Sequence, residues 1–171
     1  MILKPFDGKS PKIHPTAWIA ENAVIIGDVE IGPLVSIWYN VVVRGDTNRI
    51  TIGEKTNIQD GTVIHAETVD GPCLIGARVT VGHNAIVHGC IVEDDVLIGM
   101  GSIILSYSKI GEGSLVAAGA VIKEGQIVPP QTIMAGIPAK EIGKVTEQMT
   151  ARIKISWEHY LELAEEYRKL S

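Results

Sequence analysis

Val92-Glu93-Asp94-Asp95-Val96-Leu97-Ile98-Gly99-Met100-Gly101-Ser102-Ile103-Ile104-Leu105-Ser106-Tyr107-Ser108-Lys109-Ile110 repeats its character every sixth residue. Val92, Ile98, Ile104 and Ile110 mark the pulse. Val96, Ser102 and Ser108, each two residues before the next mark, are small or β-branched. An α-helix repeats about every 3.6 residues, so an inward-pointing pair at this longer spacing describes short strands joined by turns. The pulse runs on to Val116, Ile122, Val128 and Met134, and back through Val87, Val81, Ile75, Ile64, Ile58, Ile52, Val43, Ile37, Ile31, Ile25 and Ile19 to Ile13. Three hexapeptides close one triangular turn, so the sequence predicts an all-β solenoid, a parallel β-helix of about seven coils.

Around this block the chain divides into three parts. Residues 1–10 read as an irregular N-terminal lead-in, because Pro5, Gly8 and Pro11 interrupt regular structure. The coils occupy 11–140. In 141–171 the pattern changes: Met149, Ile153, Trp157, Tyr160, Leu161, Ala164 and Tyr167 recur at spacings of three and four, which predicts an amphipathic α-helix. That helix must bury its stripe, along the solenoid flank or across a subunit boundary.

With 171 residues, 46% apolar content and a formal net charge of −5, the chain has no basic run longer than a pair. Nucleic acid and an acidic membrane surface are therefore poor partners. The opening residues contain no long apolar segment, so neither a signal peptide nor a membrane anchor is expected. Cys73 and Cys90 fall on inward small-residue positions, which predicts two buried free thiols and a reducing, cytoplasmic compartment.

The breaks in the repeat carry the functional signal. If Ile13, Ile19 and Ile25 mark faces one, two and three, then Val43, Ile64 and Val87 all fall on face three. The irregular spacings follow those three residues, so every insertion or deletion lies at one corner of the prism. Loops grafted on one edge of a rigid scaffold are where sites are built. Directly after the three marks come Arg44, His65 and His88, one column with a rise of about 4.8 Å per coil. Two imidazoles so stacked can converge on one metal ion.

His83 stands apart, two residues past Val81 and near the corner between faces two and three. Five extended residues separate it from His88, about 16 Å of chain. A ring of three subunits brings one chain's second corner against its neighbour's third. Each contact would then hold His65 and His88 from one chain and His83 from the next, and three His with a free fourth position is the pattern of a catalytic metal. Asp60 lies one coil below His83, with Gln59 beside it. Across the ring Asp60 would face Arg44, an Arg–carboxylate clamp between subunits. Tyr160 reads either as helix core or as a hydroxyl at the site. Trp18, Trp38 and Tyr39 are expected to pack between subunits or to present a partner surface.

The segments Val43-Arg44-Gly45-Asp46, Thr56-Asn57-Ile58-Gln59-Asp60-Gly61, Val63-Ile64-His65 and Val81-Gly82-His83-Asn84, with Val87-His88-Gly89-Cys90, resemble the gamma-class carbonic anhydrase family of left-handed β-helix proteins. The resemblance continues through Ala135-Gly136-Ile137-Pro138-Ala139-Lys140 into the terminal helix. It implies a homotrimer that hydrates CO2 reversibly to bicarbonate by a metal-bound hydroxide. The metal would be zinc, with iron or cobalt as alternatives, on His65, His83 and His88. Gln59 would hydrogen-bond the reacting oxygen, Asn57 would add a polar contact, and Tyr160 would stand near the metal. Arg44, Asp46 and Asp60 would join subunits. Well-studied members carry acidic proton shuttles after the Arg-x-Asp motif and in the loop after the first ligand. Here Thr47 follows Asp46, and the loop offers only Glu67 and Asp70, so Glu67 is the candidate shuttle and fast turnover is not implied. Two rivals remain on the sequence: an acyltransferase or acyl-CoA thioesterase on the same coils, and a non-catalytic, metal-holding trimeric scaffold.

Overall fold

In the computed structural model, which describes residues 1–170, the inward pairs wind into a parallel β-solenoid of about seven coils. Face two is a stack of short strands: Trp18–Ile19, Ser36–Ile37, Asn57–Ile58, Thr80–Val81, Leu97–Ile98, Leu115–Val116 and Thr132–Ala135. Faces one and three join into one sheet, because Val24–Ile31 and Val42–Ile52 run continuously around the corner between them. The register is the one the hexads require. Val43 lies opposite Ile64 and Ile64 opposite Val87, while Ile52 lies opposite Ile75 and Ile58 opposite Val81.

The core is the inward pairs themselves. Ile25, Ile37, Ile58, Ile64, Ile98, Ile104, Ile110 and Ile122 are fully buried. Hydroxyls at the small positions are buried without being orphaned. Thr56 donates to the Gly76 carbonyl at 2.8 Å, Thr62 to Gly82 at 3.1 Å and Ser102 to Gly99 at 2.8 Å. Side-chain donors thus satisfy turn carbonyls that the short strands leave over. Cys73 and Cys90 are buried and free. The hydrogen bond of its S–H to Cys73, then burial, push the Cys90 thiol up.

From the second coil on, the corner between faces two and three turns through a left-handed residue, among them Asn40 (φ 59°), Gly61 (φ 73°), Asn84 (φ 57°) and Gly101 (φ 66°). Asn tolerates this region better than other side-chain-bearing residues. At the corner between faces one and two, Arg78 spans two coils. Its Nη2 meets Asp95 at 2.7 Å and Asp94 at 3.3 Å, and these carboxylates with Glu54 hold the guanidinium charged. Arg78→Ala is expected to lower stability by about 1 kcal/mol, read as the midpoint of chemical denaturation. Asp94 and Asp95 are partly exposed, so water replaces much of the lost donor.

Two ends differ from the sequence reading. Ile2–Lys4, inside the lead-in expected to be irregular, is a strand that pairs with Val24–Ile26 and extends face three by one rung. Lys140–Lys144 is also a strand, antiparallel to Thr132–Ala135, and closes face two. Beyond that strand the helix runs from Glu147 to Arg168, the span of the amphipathic stripe. Thr146 caps it, accepting from the Met149 N–H at 3.3 Å.

That helix lies along face two of its own chain. Trp18, Ala20, Trp38 and Ala164 form a second buried cluster with Tyr39, Tyr160, Leu163 and Tyr167. Trp38 stacks at 4.8 Å from Trp18, 5.3 Å from Tyr160 and 5.2 Å from Tyr167. The N-terminal aromatics thus pack under the helix of the same subunit, which corrects the expectation that they fill a subunit boundary. Face three carries a different feature: Val24, Val42, Val63, Ile86, Ile103 and Val121 stack outward in register, with Val63 39% and Ile86 40% exposed.

Candidate metal centre

Arg44, His65 and His88 are register partners on adjacent strands of face three, as the column predicts. The two rings meet edge to face, with centroids 4.9 Å apart and His65 Nδ1 3.0 Å from His88 Nε2. Two imidazoles on one tetrahedral ion at about 2.1 Å would hold their nitrogens roughly 3.4 Å apart. The pair therefore stands close to a metal bite.

The outer nitrogens are both engaged. His65 Nε2 lies 2.9 Å from Asp46 Oδ1, and His88 Nδ1 lies 2.9 Å from Ser106 Oγ. Desolvation acts to raise the Asp46 carboxyl, but hydrogen bonds from Arg44 and His65 outweigh it and hold it below the ordinary carboxylate range. Burial, followed by the neighbouring His65, pushes His88 below the ordinary imidazole value, which favours the neutral ring a metal needs.

His83 sits one corner away, on the column Asp60–His83–Met100 that precedes the left-handed turn. Its Nδ1 is 2.9 Å from Asp60 Oδ2. Its Nε2 is 3.5 Å from the Tyr160 hydroxyl, which burial and then the Asp60 charge keep protonated. In each ring one nitrogen sits on an oxygen partner, while the second meets the other ring in His65 and His88 and the Tyr160 hydroxyl in His83. Among the described residues of a single chain no group of three or more His, Cys, Asp or Glu is placed to hold a metal ion. The donor chemistry fits a divalent metal, and one chain alone brings together only two of the three rings.

The remaining candidates fall into place around these rings. Arg44 Nη1 is 2.6 Å from Asp46 Oδ2, so within one chain Arg44 holds Asp46, while Asp60 holds His83. Gln59 is buried and donates to Asn57 Oδ1 at 3.1 Å. Asn57 donates to Thr80 Oγ1 at 3.0 Å, and Thr80 to Ser156 Oγ on the helix at 3.2 Å. Gln59, His83, Tyr160 and Ser156 line a cavity of about 410 Å³ whose other wall includes Leu97, Met100 and Leu115. Tyr160 is both helix core, through Trp38, and a hydroxyl facing His83. Glu67 Oε1 accepts from the Thr68 N–H at 2.8 Å and from its hydroxyl at 3.0 Å. Those bonds hold its carboxyl below the ordinary range.

Sequence reasoning gave no role to Ser106, nor to Thr47, whose hydroxyl donates to the Ala66 carbonyl at 2.8 Å. The contact of Asp46 with His65 was also unanticipated. Register could have found Ser106, which follows by two residues the Ile104 that stacks on Val87.

Repeat and fold make this a hexapeptide-repeat β-helix protein, and the model of the bacterial transferase hexapeptide (six repeats) matches residues 10–45 and 89–124. A carbonic anhydrase of Geobacillus kaustophilus is 44% identical over 169 residues, covering 99% of this chain and 92% of that protein. Gamma carbonic anhydrase 2, mitochondrial, of Arabidopsis thaliana is 43% identical over 96% of this chain, which spans 60% of the plant protein's length. A hexapeptide transferase family protein from Anaplasma phagocytophilum superposes with a TM-score of 0.93 at 44% identity, covering 97% of this chain and 98% of that one. The chain belongs to the gamma carbonic anhydrase family. No described helix is long and apolar enough to cross a membrane.

Proposed function

We propose that the protein is a metal-dependent carbonate dehydratase whose sites lie between the subunits of a homotrimer. The carrying observation is the facing pair His65 Nδ1 and His88 Nε2, their outer nitrogens tied to Asp46 and Ser106, with His83 held in the same manner one corner away. His65 and His88 of one chain and His83 of the next would hold zinc, iron or cobalt. A metal in such a site supplies a Lewis acid at which water ionises near neutral pH. The outward aliphatic row on face three supports the trimer, since a stacked apolar strip of this kind favours a protein contact. Arg44 and Asp60, side chains 43% and 41% exposed, stand ready to add a polar rim to it.

Within the site, Gln59 has one amide hydrogen committed to Asn57, which fixes the plane of its amide at the cavity wall. It orients the attacking oxygen toward CO2, and Leu97 and Met100 give CO2 an apolar wall. Tyr160 keeps its proton and offers it toward the reacting face. Metal should be present in anaerobically purified protein, and CO2 hydration should vanish on chelation and return with metal. A metal-loaded trimer at the background rate in every buffer would sink this reading. With no acidic group at position 47, proton export is expected to limit turnover, so added imidazole should raise the rate until it saturates.

A second reading is favoured by one observation. The cavity of about 410 Å³ is far larger than CO2 requires and is largely aliphatic on one wall. Hydrolysis of a short acyl thioester would use that space, and an assay on short acyl-CoA substrates separates the two readings.

A further inference from the structure

We infer that Glu67 and Ser106 are positioning residues that fix the tautomer and direction of His88, and that Glu67 is not a proton shuttle. This rests on the metal reading above. Ser106 Oγ donates to Glu67 Oε2 at 3.3 Å. A carboxylate only accepts, so the serine proton points to Glu67 and the serine oxygen is left to accept from His88 Nδ1–H at 2.9 Å. His88 then carries its lone pair on Nε2. On the other side, Asp46 only accepts as well, so His65 Nε2 holds the proton and Nδ1 holds the lone pair. Both facing nitrogens are then acceptors, and a 3.0 Å contact between them holds only with a shared cation, a proton or a metal ion. The two oxygen partners set it up from opposite ends.

The backbone is built to deliver Glu67 to Ser106. A Cβ on Gly71 would lie 2.5 Å from the Glu67 Cβ, and one on Gly89 would lie 2.8 Å from it. Two glycines, Gly71 in the same loop and Gly89 on the next coil, thus form a slot for the stem of Glu67. The Glu67 N–H donates to the Gly71 carbonyl at 2.8 Å, and the Tyr107 hydroxyl pins the loop at the Val69 carbonyl at 3.0 Å. With Oε1 on Thr68 and Oε2 on Ser106, both carboxylate oxygens are hydrogen-bonded. A shuttle must swing between site and solvent, and these bonds tether this carboxylate in one position.

The test is cobalt(II) titration of the trimer, followed by visible absorption, with Ser106→Ala, Ser106→Thr and Glu67→Ala. Removing an outer partner of a metal-bound His costs about 10–100-fold in metal affinity, so Ser106→Ala should weaken cobalt by that factor and Ser106→Thr should restore it. Glu67→Ala should weaken it in the same direction. Wild-type affinity in Ser106→Ala would overturn the proposal. So would Glu67→Ala that binds cobalt normally but hydrates CO2 slowly until buffer is added, the signature of a shuttle. If the wild-type chain takes up no cobalt, the metal reading fails, and ¹⁵N NMR of the metal-free protein decides the inference separately. An Nδ1-protonated His88 that becomes mixed in Ser106→Ala supports it, and an Nε2-protonated His88 in the wild type overturns it.

Discussion

His83→Ala and His65→Ala chains are each expected to lose metal, and to regain part of it when mixed. Each substitution removes one of three donors, and a two-His remainder holds a divalent ion far more weakly. The reason to expect recovery is geometric. His65 stacks on His88, whereas His83 turns out of the neighbouring corner beside Asp60 and Tyr160. If a site joins two chains, a His83→Ala chain still offers His65 and His88, and a His65→Ala chain still offers His83. Equal amounts after random exchange then rebuild about one site in four around each ring. Metal content and hydration rate should rise together from near zero. Proven subunit exchange with no recovered metal would place all three donors in one chain and remove the trimeric site.

Trp38→Ala should give the largest loss of stability at the contact between helix and solenoid. Trp38 is 5% exposed and touches the rings of Trp18, Tyr160 and Tyr167, so the substitution opens a cavity where the helix meets face two. Removing a buried Trp costs about 3–5 kcal/mol. The helix is joined to the solenoid by this aromatic cluster, buried Ile153, the Thr80–Ser156 bond and the Arg168 bond to the Thr16 carbonyl. The cluster is the largest of these contacts, so the loss should appear as detachment of the helix. Limited proteolysis should cut within 147–168 while the coils stay resistant. Tyr160 leaves His83 in the same event, so hydration should fall more than metal content. A variant that melts in one step, with no early cleavage, would mean that helix and coils fold as one unit.

The period of six made the faces legible, because a residue that must point inward in every coil leaves its mark regardless of what surrounds it. The Arg44–His65–His88 column followed from counting, since strands in register stack residue on residue. Asp46 was harder to place. It lies within the insertion after Val43, where the hexad count is suspended, so its contact with His65 had no register to reveal it. Ser106 was in register, but a serine in a coil turn looks like any other turn residue until a ring nitrogen is found beside it. The destination of the helix was also hidden. An amphipathic stripe states that something apolar must cover it and does not say which chain supplies the cover.

Arg44 with Asp46, then His65, then His88, then Ser106 come from successive rungs of the solenoid. Rungs in such a stack touch only their neighbours, so the terminal ones open first and the interior ones last. Amide exchange should therefore be slowest around Ile64 and Val87 and quicken toward Ile13 and Val128. The candidate site sits where opening is rarest, and fraying at either end leaves it assembled. Metal added to those middle rungs would slow exchange there first, since a ligand raises the cost of every opening that dismantles its site.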